Sequence, residues 1–300
     1  MKVVVCVKQV PDTKGGVKFK PDGTLDRAAM LTIMNPDDKA GLEAAIRIKE
    51  EHGAEVTVIT MGLPKADEMF REAFAMGADK AILVTDRVLG GADTWATSST
   101  IAGALRNLDY DLVITGRQAI DGDTAQVGPQ VAEKLNLPQV TYAEQVEQVK
   151  PSSLVVRRRL ERGVERVECP LPAVITVNAT AAEVRPQNAR LVMKYKHAMI
   201  ASEIAAAPDT LSARLASERD YLKIVELTSA DIVCDEQQLG LSGSPTKVTT
   251  VRFVASPGST SKSLTPLAAS ITSVICLITS ALRPSEKLGT HSIILFCIAL

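Results

Sequence analysis

Four short runs of aliphatic, mostly β-branched residues recur along the first 140 residues: Lys2 to Val7, Glu55 to Thr60, Lys80 to Thr85 and Asp111 to Thr115. Each is nearly continuous in apolarity rather than alternating, the pattern of parallel strands covered on both faces. A helical pattern follows every one. Asn35-Pro36 reads as an N-cap with proline at the first helical position, and Asp37 and Asp38 suit the positive end of the helix dipole. Leu42, Ala45, Ile46 and Lys49 then recur at helical spacing until Gly53 closes the run. Further helices are expected from about Pro64 to Met76 with Gly77 as the stop, from near Asp93, and from near Asp123 or Thr124. This alternation predicts an α/β fold, a doubly wound and mostly parallel sheet with right-handed crossovers.

Two stretches break the alternation. Residues 9 to 34 carry VKFKPDGTL, whose Pro-Asp-Gly reads as the turn of a small hairpin. From about 144 to 178 the period shortens to two, and Ser153 to Arg159 and Val164 to Glu168 read as antiparallel additions leading into a strand from Ala173 to Val177. Beyond that the pattern is lost. ATAAEVRPQNARLVMKYKHA has no clean period and reads as an extended, exposed arm that needs a partner surface to order it. The expected organisation is an α/β domain over 1–182, a partner-recognition and docking arm over 183–262, and an atypical apolar tail over 263–300. Within that tail, SLTPLAASITSVICLITSAL (263–282) carries no charge and approaches the length of a membrane span. Pro266 and repeated Ser and Thr dilute it, so a packed helix is expected and a membrane anchor is not.

Lys and Arg number 34 against 35 Asp and Glu, a net charge of -1, which gives no support to nucleic-acid binding. Arg157-Arg158-Arg159 sits in an alternating strand pattern and reads as a solvated face. The five cysteines (6, 169, 234, 276, 297) are scattered and lack CxxC spacing, which points to a reduced cytoplasmic compartment without a zinc site. Three histidines in unrelated contexts speak against a His-centred metal or triad mechanism.

In an open α/β sheet, ligands bind beyond the carboxyl ends of the strands, where the strand order reverses. The loops there are Lys8 to Asn35, Met61-Gly62, Asp86 to Asp93, and Gly116 to Val127. None carries GxGxxG, and no GxxxxGK[ST] occurs, so the standard dinucleotide and P-loop signatures are missing. Gly90-Gly91-Ala92-Asp93-Thr94 is similar to the SGGxDS string of PP-loop ATP pyrophosphatases, but follows the third strand instead of the first. A turn with Asp93 as helix cap explains it equally well. In GRQAIDGDTAQVGPQVAEKL, Asp121 and Asp123 stand where a helix N-terminus favours an anion, either as caps or as part of a polar site. Cys6, inside the first strand, reads as a buried inert thiol. No nucleophile–base pair or metal-ligand set accompanies these groups. The residues alone predict a nucleotide-binding α/β domain without catalytic machinery of its own, with an ATP-using PP-loop-like enzyme as the alternative.

Longer strings add a resemblance. VVVCVKQVPDT, IMNPDDKAGLEAA, VITMG, AMGADKAILVTDR, GGADTWATS and GRQAIDGDTAQVGPQVAEKLNLPQVTY, spread over about residues 1 to 200, resemble the β subunit of electron transfer flavoprotein, and LGLSGSPTKV (239 to 248) adds a later block. The resemblance implies a Rossmann-like, adenine-nucleotide-binding fold and a heterodimer with an α subunit that carries FAD. It also implies electron transport between acyl-CoA dehydrogenase and other redox partners. Members of the family hold either AMP or a second FAD in the β subunit; the second kind includes electron-bifurcating proteins, with NADH as donor and ferredoxin among the partners. VTDRVLGGADTWATS resembles the bifurcating kind. FAD is therefore the expected cofactor and AMP the alternative, with Asp86, Arg87, Gly91, Asp93, Thr94 and Thr97 facing the extra flavin.

The resemblance further implies that Gly116, Arg117, Gln118, Ala119, Asp121, Gly122, Asp123, Thr124, Gln126 and Val127 wrap the adenosine diphosphate. Backbone N–H groups after Asp123 would meet phosphate, the aspartates would accept from ribose hydroxyls or cap the helix, and Arg117 would offset the local acid charge. Cys6, Asn35, Pro36, Asp37, Asp38 and Met61 complete the implied site, Cys6 through backbone contact and small size. Redox activity would belong to the complex with the α subunit, with no catalytic residue on this chain. Two departures stand out. The family's arm presents a leucine to the dehydrogenase where this chain has Ala189, leaving Leu191 or Val192 as substitutes, and the region from about Lys262 lacks the family's charged C-terminal helix.

Overall fold

The computed structural model describes residues 1–12 and 31–246. The turn expected at Pro21-Asp22-Gly23 and the uncharged stretch 263–282 lie outside the described residues. The chain runs β1 (Lys2–Cys6), β2 (Gln9–Pro11), β3 (Thr32–Met34), α1 (Pro36–His52), β4 (Glu55–Met61), α2 (Asp67–Met76), β5 (Lys80–Val84), α3 (Thr94–Leu105), β6 (Leu112–Gly116) and α4 (Val127–Leu135). It continues through β7 (Gln139–Val149), β8 (Ser153–Leu160), β9 (Gly163–Pro170), β10 (Ala173–Val177), α5 (Ala189–Tyr195), β11 (Met199–Ile200), α6 (Ala201–Ala206), α7 (Leu211–Glu218), β12 (Lys223–Leu227) and α8 (Gly240–Gly243). Ten strands form one sheet in the order β11-β12-β5-β4-β1-β6-β10-β7-β8-β9. Neighbours from β11 to β7 run parallel, and β8 and β9 add antiparallel pairings at one edge. β4 and β5 lie on one side of β1, and β6 on the other. The order therefore reverses at β1, and the crevice beyond the carboxyl ends of β1 and β6 is where such a sheet opens to a ligand.

Strand periodicity explains the continuous apolar runs. Val3, Val5, Leu112, Ile114 and Ile175 enter one layer, under α1 and α2, while Val4, Val113 and Val174 enter the other, under α3 and α4. In the first layer Phe70 and Phe74 of α2 are fully buried, contributing about 2 kcal/mol each. Gly53 ends α1 with φ of 68°, the left-handed conformation that favours glycine.

Two expectations need correction. The fourth helix begins at Val127 and not near Asp123 or Thr124, because Asp123 and Ala125 take φ of 50° and 52°, which no α-helix accommodates. The stretch expected to be an arm without regular structure contains α5, whose start Asn188 caps by accepting from the N–H groups of Arg190 and Leu191. Its own chain orders it. Arg185 forks onto Glu43 and Glu50 of α1, Tyr195 stacks on Phe74 with ring centroids 4.6 Å apart, and β12 then pairs alongside β5.

Candidate functional site

At the point of strand reversal, the first residues of α1 act as a staple. Asp38 accepts from the N–H of Lys8 at 2.8 Å and from that of Gly116 at 3.0 Å, joining the ends of β1 and β6. A Cβ on Gly116 would lie 2.1 Å from Asp38 Oδ1, so only glycine fits. Asp37 accepts from the N–H of Ala179 at 2.8 Å, just past β10, and from the N–H of Gln118 at 3.2 Å. Asn35 is fully buried; its Nδ2 donates to Gln118 O at 2.7 Å and its Oδ1 accepts from Ile120 N–H at 3.1 Å. Asn35 thus occupies the cap position without capping the helix through its side chain, while Pro36 stands at the first helical position as expected. Burial, reinforced by the Asp37 charge, raises the Asp38 carboxyl to about 7 against the opposing hydrogen bonds from Asn35, Lys8 and Gly116. Cys6 is half-buried as a residue and not fully buried as expected, yet desolvation of its thiol, with the Asp38 charge adding to it, pushes it up to about 12.

The loop from 117 to 126 turns on Ala119, whose carbonyl accepts from Gly122 and Asp123. Its carboxylates have protein partners. Asp121 is paired with Lys8 Nζ at 2.8 Å, and Asp123 accepts from Gln118 Nε2 at 2.6 Å. Arg117 does not neutralise either of them: its Nε approaches Asp37 at 3.3 Å and its guanidinium lies 5.9 Å from the centre of the Tyr142 ring. Lys8 does that work at Asp121 instead. Thr124 is half-buried on the same loop, and Val127, Met61 and Cys6 pack against the core layer under α3 and α4. Among the described residues no side chain caps α4 and no acid stands in its first turn. Pro129 has no N–H, so the N–H groups left without a partner at this helix start, among the described residues, are those of Gln126, Val127 and Gly128. Gly128 lets α4 sit directly on the sheet; a Cβ there would be 2.5 Å from Thr115 Oγ1 and 2.8 Å from Thr176 Cγ2.

The loop after β5 joins this rim through one bond, Thr94 Oγ1 donating to Gln126 Oε1 at 2.8 Å. Asp93 caps α3 by accepting from Ala96 N–H, and Thr97 donates its N–H to Asp93 O within that first turn. Asp86 accepts from Val88 N–H and from Ser229. Arg87 is exposed and makes no ion pair among the described residues, and Gly91 adopts φ of 71°. The predicted residues therefore lie together along the carboxyl ends of β1, β4, β5 and β6. Sequence reasoning missed Lys8, Gly128, Ser229, Ser244 and Thr246. The last two belong to the LGLSGSPTKV block, the one signal that pointed to them. No group of His, Cys, Asp or Glu among the described residues could hold a metal ion, and no helix there is long and apolar enough to cross a membrane.

Known proteins bear on this rim. The electron transfer flavoprotein domain matches residues 22–207. An electron transfer flavoprotein subunit beta of Clostridium acetobutylicum is 47% identical over 249 residues, covering 83% of this chain and 86% of that protein. The acryloyl-CoA reductase electron transfer subunit gamma of Anaerotignum propionicum is 52% identical over 180 residues, 59% of this chain and 67% of that one. A caffeyl-CoA reductase-Etf complex subunit, CarD, of Acetobacterium woodii is 52% identical over 179 residues, with 59% and 68% covered. These matches set aside the PP-loop reading of Gly90 to Thr94.

Proposed function

The chain belongs to the electron transfer flavoprotein family as a β subunit, and from that premise we propose that its rim holds the adenosine diphosphate part of an FAD, with AMP as the alternative. One observation carries this reading. The start of α4 offers uncapped N–H groups to an anion, while the carboxylates in front of it are turned onto Lys8 and Gln118. The donor set fits a diphosphate: backbone N–H groups, a neutral first turn, and a loop in which Lys8 offsets the charge of Asp121. An FAD bound there would supply the redox chemistry, and the residues of this chain bind and orient it.

Two features support FAD over the shorter AMP. The loop after β5 is tied to the α4 start by Thr94 and Gln126, extending the rim past the diphosphate, and the same loop carries Arg87, an exposed cation with no ion pair among the described residues. The reading extends to partners: an α subunit with its own FAD, an acyl-CoA dehydrogenase, NADH as donor and ferredoxin among the acceptors, linked by electron bifurcation. Relatives named as subunits of acryloyl-CoA and caffeyl-CoA reductases support a partner acting on a CoA thioester. A cytoplasmic location accords with the free thiols of Cys6, Cys169 and Cys234.

Thr94→Ala in the heterodimer tests the reading. It removes the bond to Gln126 and leaves the Asp93 cap in place. FAD content should fall toward that of the α subunit alone and reduction by NADH should be lost, with stability changed by no more than about 1 kcal/mol. Unaltered FAD content and NADH reduction would return the loop to a capping role.

A further inference from the structure

The block at 239–248 is remote in sequence from the rim, yet its described part, Leu239 to Thr246, lies on the loop after β5. Asp93 is the junction. Its N–H donates to Ser244 Oγ at 2.9 Å, its Oδ2 accepts from Thr246 N–H at 3.0 Å, and its Oδ1 accepts from Ala96 N–H at 3.0 Å. Both carboxylate oxygens are thus engaged by protein. Ser244, only 2% exposed, donates its hydroxyl onward to Gly240 O at 2.7 Å. Gly240, with φ of 57°, comes so close to the loop that a Cβ would stand 1.8 Å from Val88 O. Leu241 N–H donates to Gly90 O at 3.0 Å, and Gly91 faces the Leu241 side chain, where a Cβ would be 3.1 Å from Leu241 Cβ. At the other end of the loop, Asp86 Oδ2 accepts from Ser229 Oγ at 2.6 Å and from Ser229 N–H at 3.2 Å.

The loop has little structure of its own. It comprises one turn of 3-10 helix and then Gly90-Gly91, and paired glycines leave many backbone conformations open. What selects one conformation is the later segment, which bonds the loop at both ends and in the middle. We propose that Ser229 and Gly240 to Thr246 form a clasp that sets the conformation of residues 86–94. Ser244 and Gly240 are then positioning residues for the flavin on the rim, and Asp93 acts through the clasp and not by touching the flavin. This rests on the FAD reading given above. A loop held in its binding conformation before the ligand arrives loses less freedom on binding, which is why the clasp should affect retention and not folding alone.

Ser244→Ala and Gly240→Ala in the heterodimer with its α subunit provide the test. The first leaves the Asp93 N–H without its partner, and the second drives a methyl group into Val88 O. In both, amide exchange at 86–94 should rise about tenfold or more, and the β-chain FAD should dissociate faster by a similar factor. The midpoint potential of that flavin should shift while that of the α-subunit flavin stays put, a signature that lost stability alone would not give. If Ser244→Ala does not fold, Ser229→Ala carries the same readouts from the half-buried end of the clasp. Unchanged exchange at 86–94, or faster exchange with flavin retention and potential unaltered, overturns the proposal. The unmodified heterodimer separates the two readings: AMP in place of the β-chain FAD would defeat the FAD reading, and the clasp would then stand or fall on exchange at 86–94 and on AMP retention.

Discussion

Asp38 accepts two backbone N–H groups from two different strand ends, and burial raises its carboxyl to about 7. Unfolded, it titrates near the ordinary value of about 4. Between those values the folded chain keeps a proton that the unfolded chain has released, so the unfolding free energy falls as pH rises through this window and levels off above about 7. Asp38→Asn should flatten that slope and cost about 1–3 kcal/mol, because its amide cannot accept both N–H groups. Denaturant titrations at several pH values check this, and an undiminished slope in the variant would place the titrating group elsewhere. The pairing of Lys8 with Asp121 makes a second residue-scale prediction. Lys8→Met leaves Asp121 uncompensated beside the proposed phosphate position and should weaken nucleotide binding by about 1 kcal/mol or more, and adding Asp121→Asn should recover most of the loss. Equilibrium binding on the two variants decides it. Asp37 and Asp38 stand in the first turn of α1 and Asn35 at its cap position, as the sequence predicts, but Asn35 does not cap the helix through its side chain. Cap statistics see only the local helix, whereas these side chains bond backbone groups remote in sequence, at Lys8, at 116–120 and at Ala179.

At the scale of elements, β1, β4, β5, β6 and β10 were legible to within a residue because strands covered on both faces read as largely apolar runs, whereas the parallel β11 and β12, short and partly exposed, went unread. β7 was harder to read. Its mixed exposure and Pro138 just ahead of it hide an eleven-residue strand. The start of α4 was misjudged because two non-glycine residues hold positive φ, a conformation that composition does not announce. That helix start also sits in close contact with the sheet. Gly128→Ala should push α4 off Thr115 and Thr176, costing about 1–3 kcal/mol and lowering nucleotide content, because the N–H groups move with the helix. Gly53→Ala is the control: its φ of 68° makes it costly by about 1 kcal/mol, but nothing lies within 4 Å and nucleotide content should hold. Equal nucleotide loss in both variants would mean that global stability, and not the seat of α4, governs binding.

Over the whole molecule, segments late in the sequence close a fold whose first 116 residues lay out most of the rim. Arg185 reaches back to Glu43, whose side chain is 3% exposed, and with Arg47 holds that carboxyl below its ordinary range against the opposing effect of burial. Arg185→Ala should cost about 3 kcal/mol near neutral pH and raise amide exchange over 183–195. The deficit should shrink as pH falls through the folded Glu43 value, where the carboxyl takes up its proton. A deficit independent of pH would assign the loss to packing. None of this closure was visible in local periodicity, since ion pairs and sheet edges made across more than a hundred residues leave no period to read. The central claim, that the rim holds the adenosine diphosphate of an FAD, is tested most directly by co-expressing the chain with its α subunit and counting FAD and AMP released per heterodimer. The account predicts one FAD from each subunit and no AMP; FAD from the α subunit alone, accompanied by AMP, would contradict it.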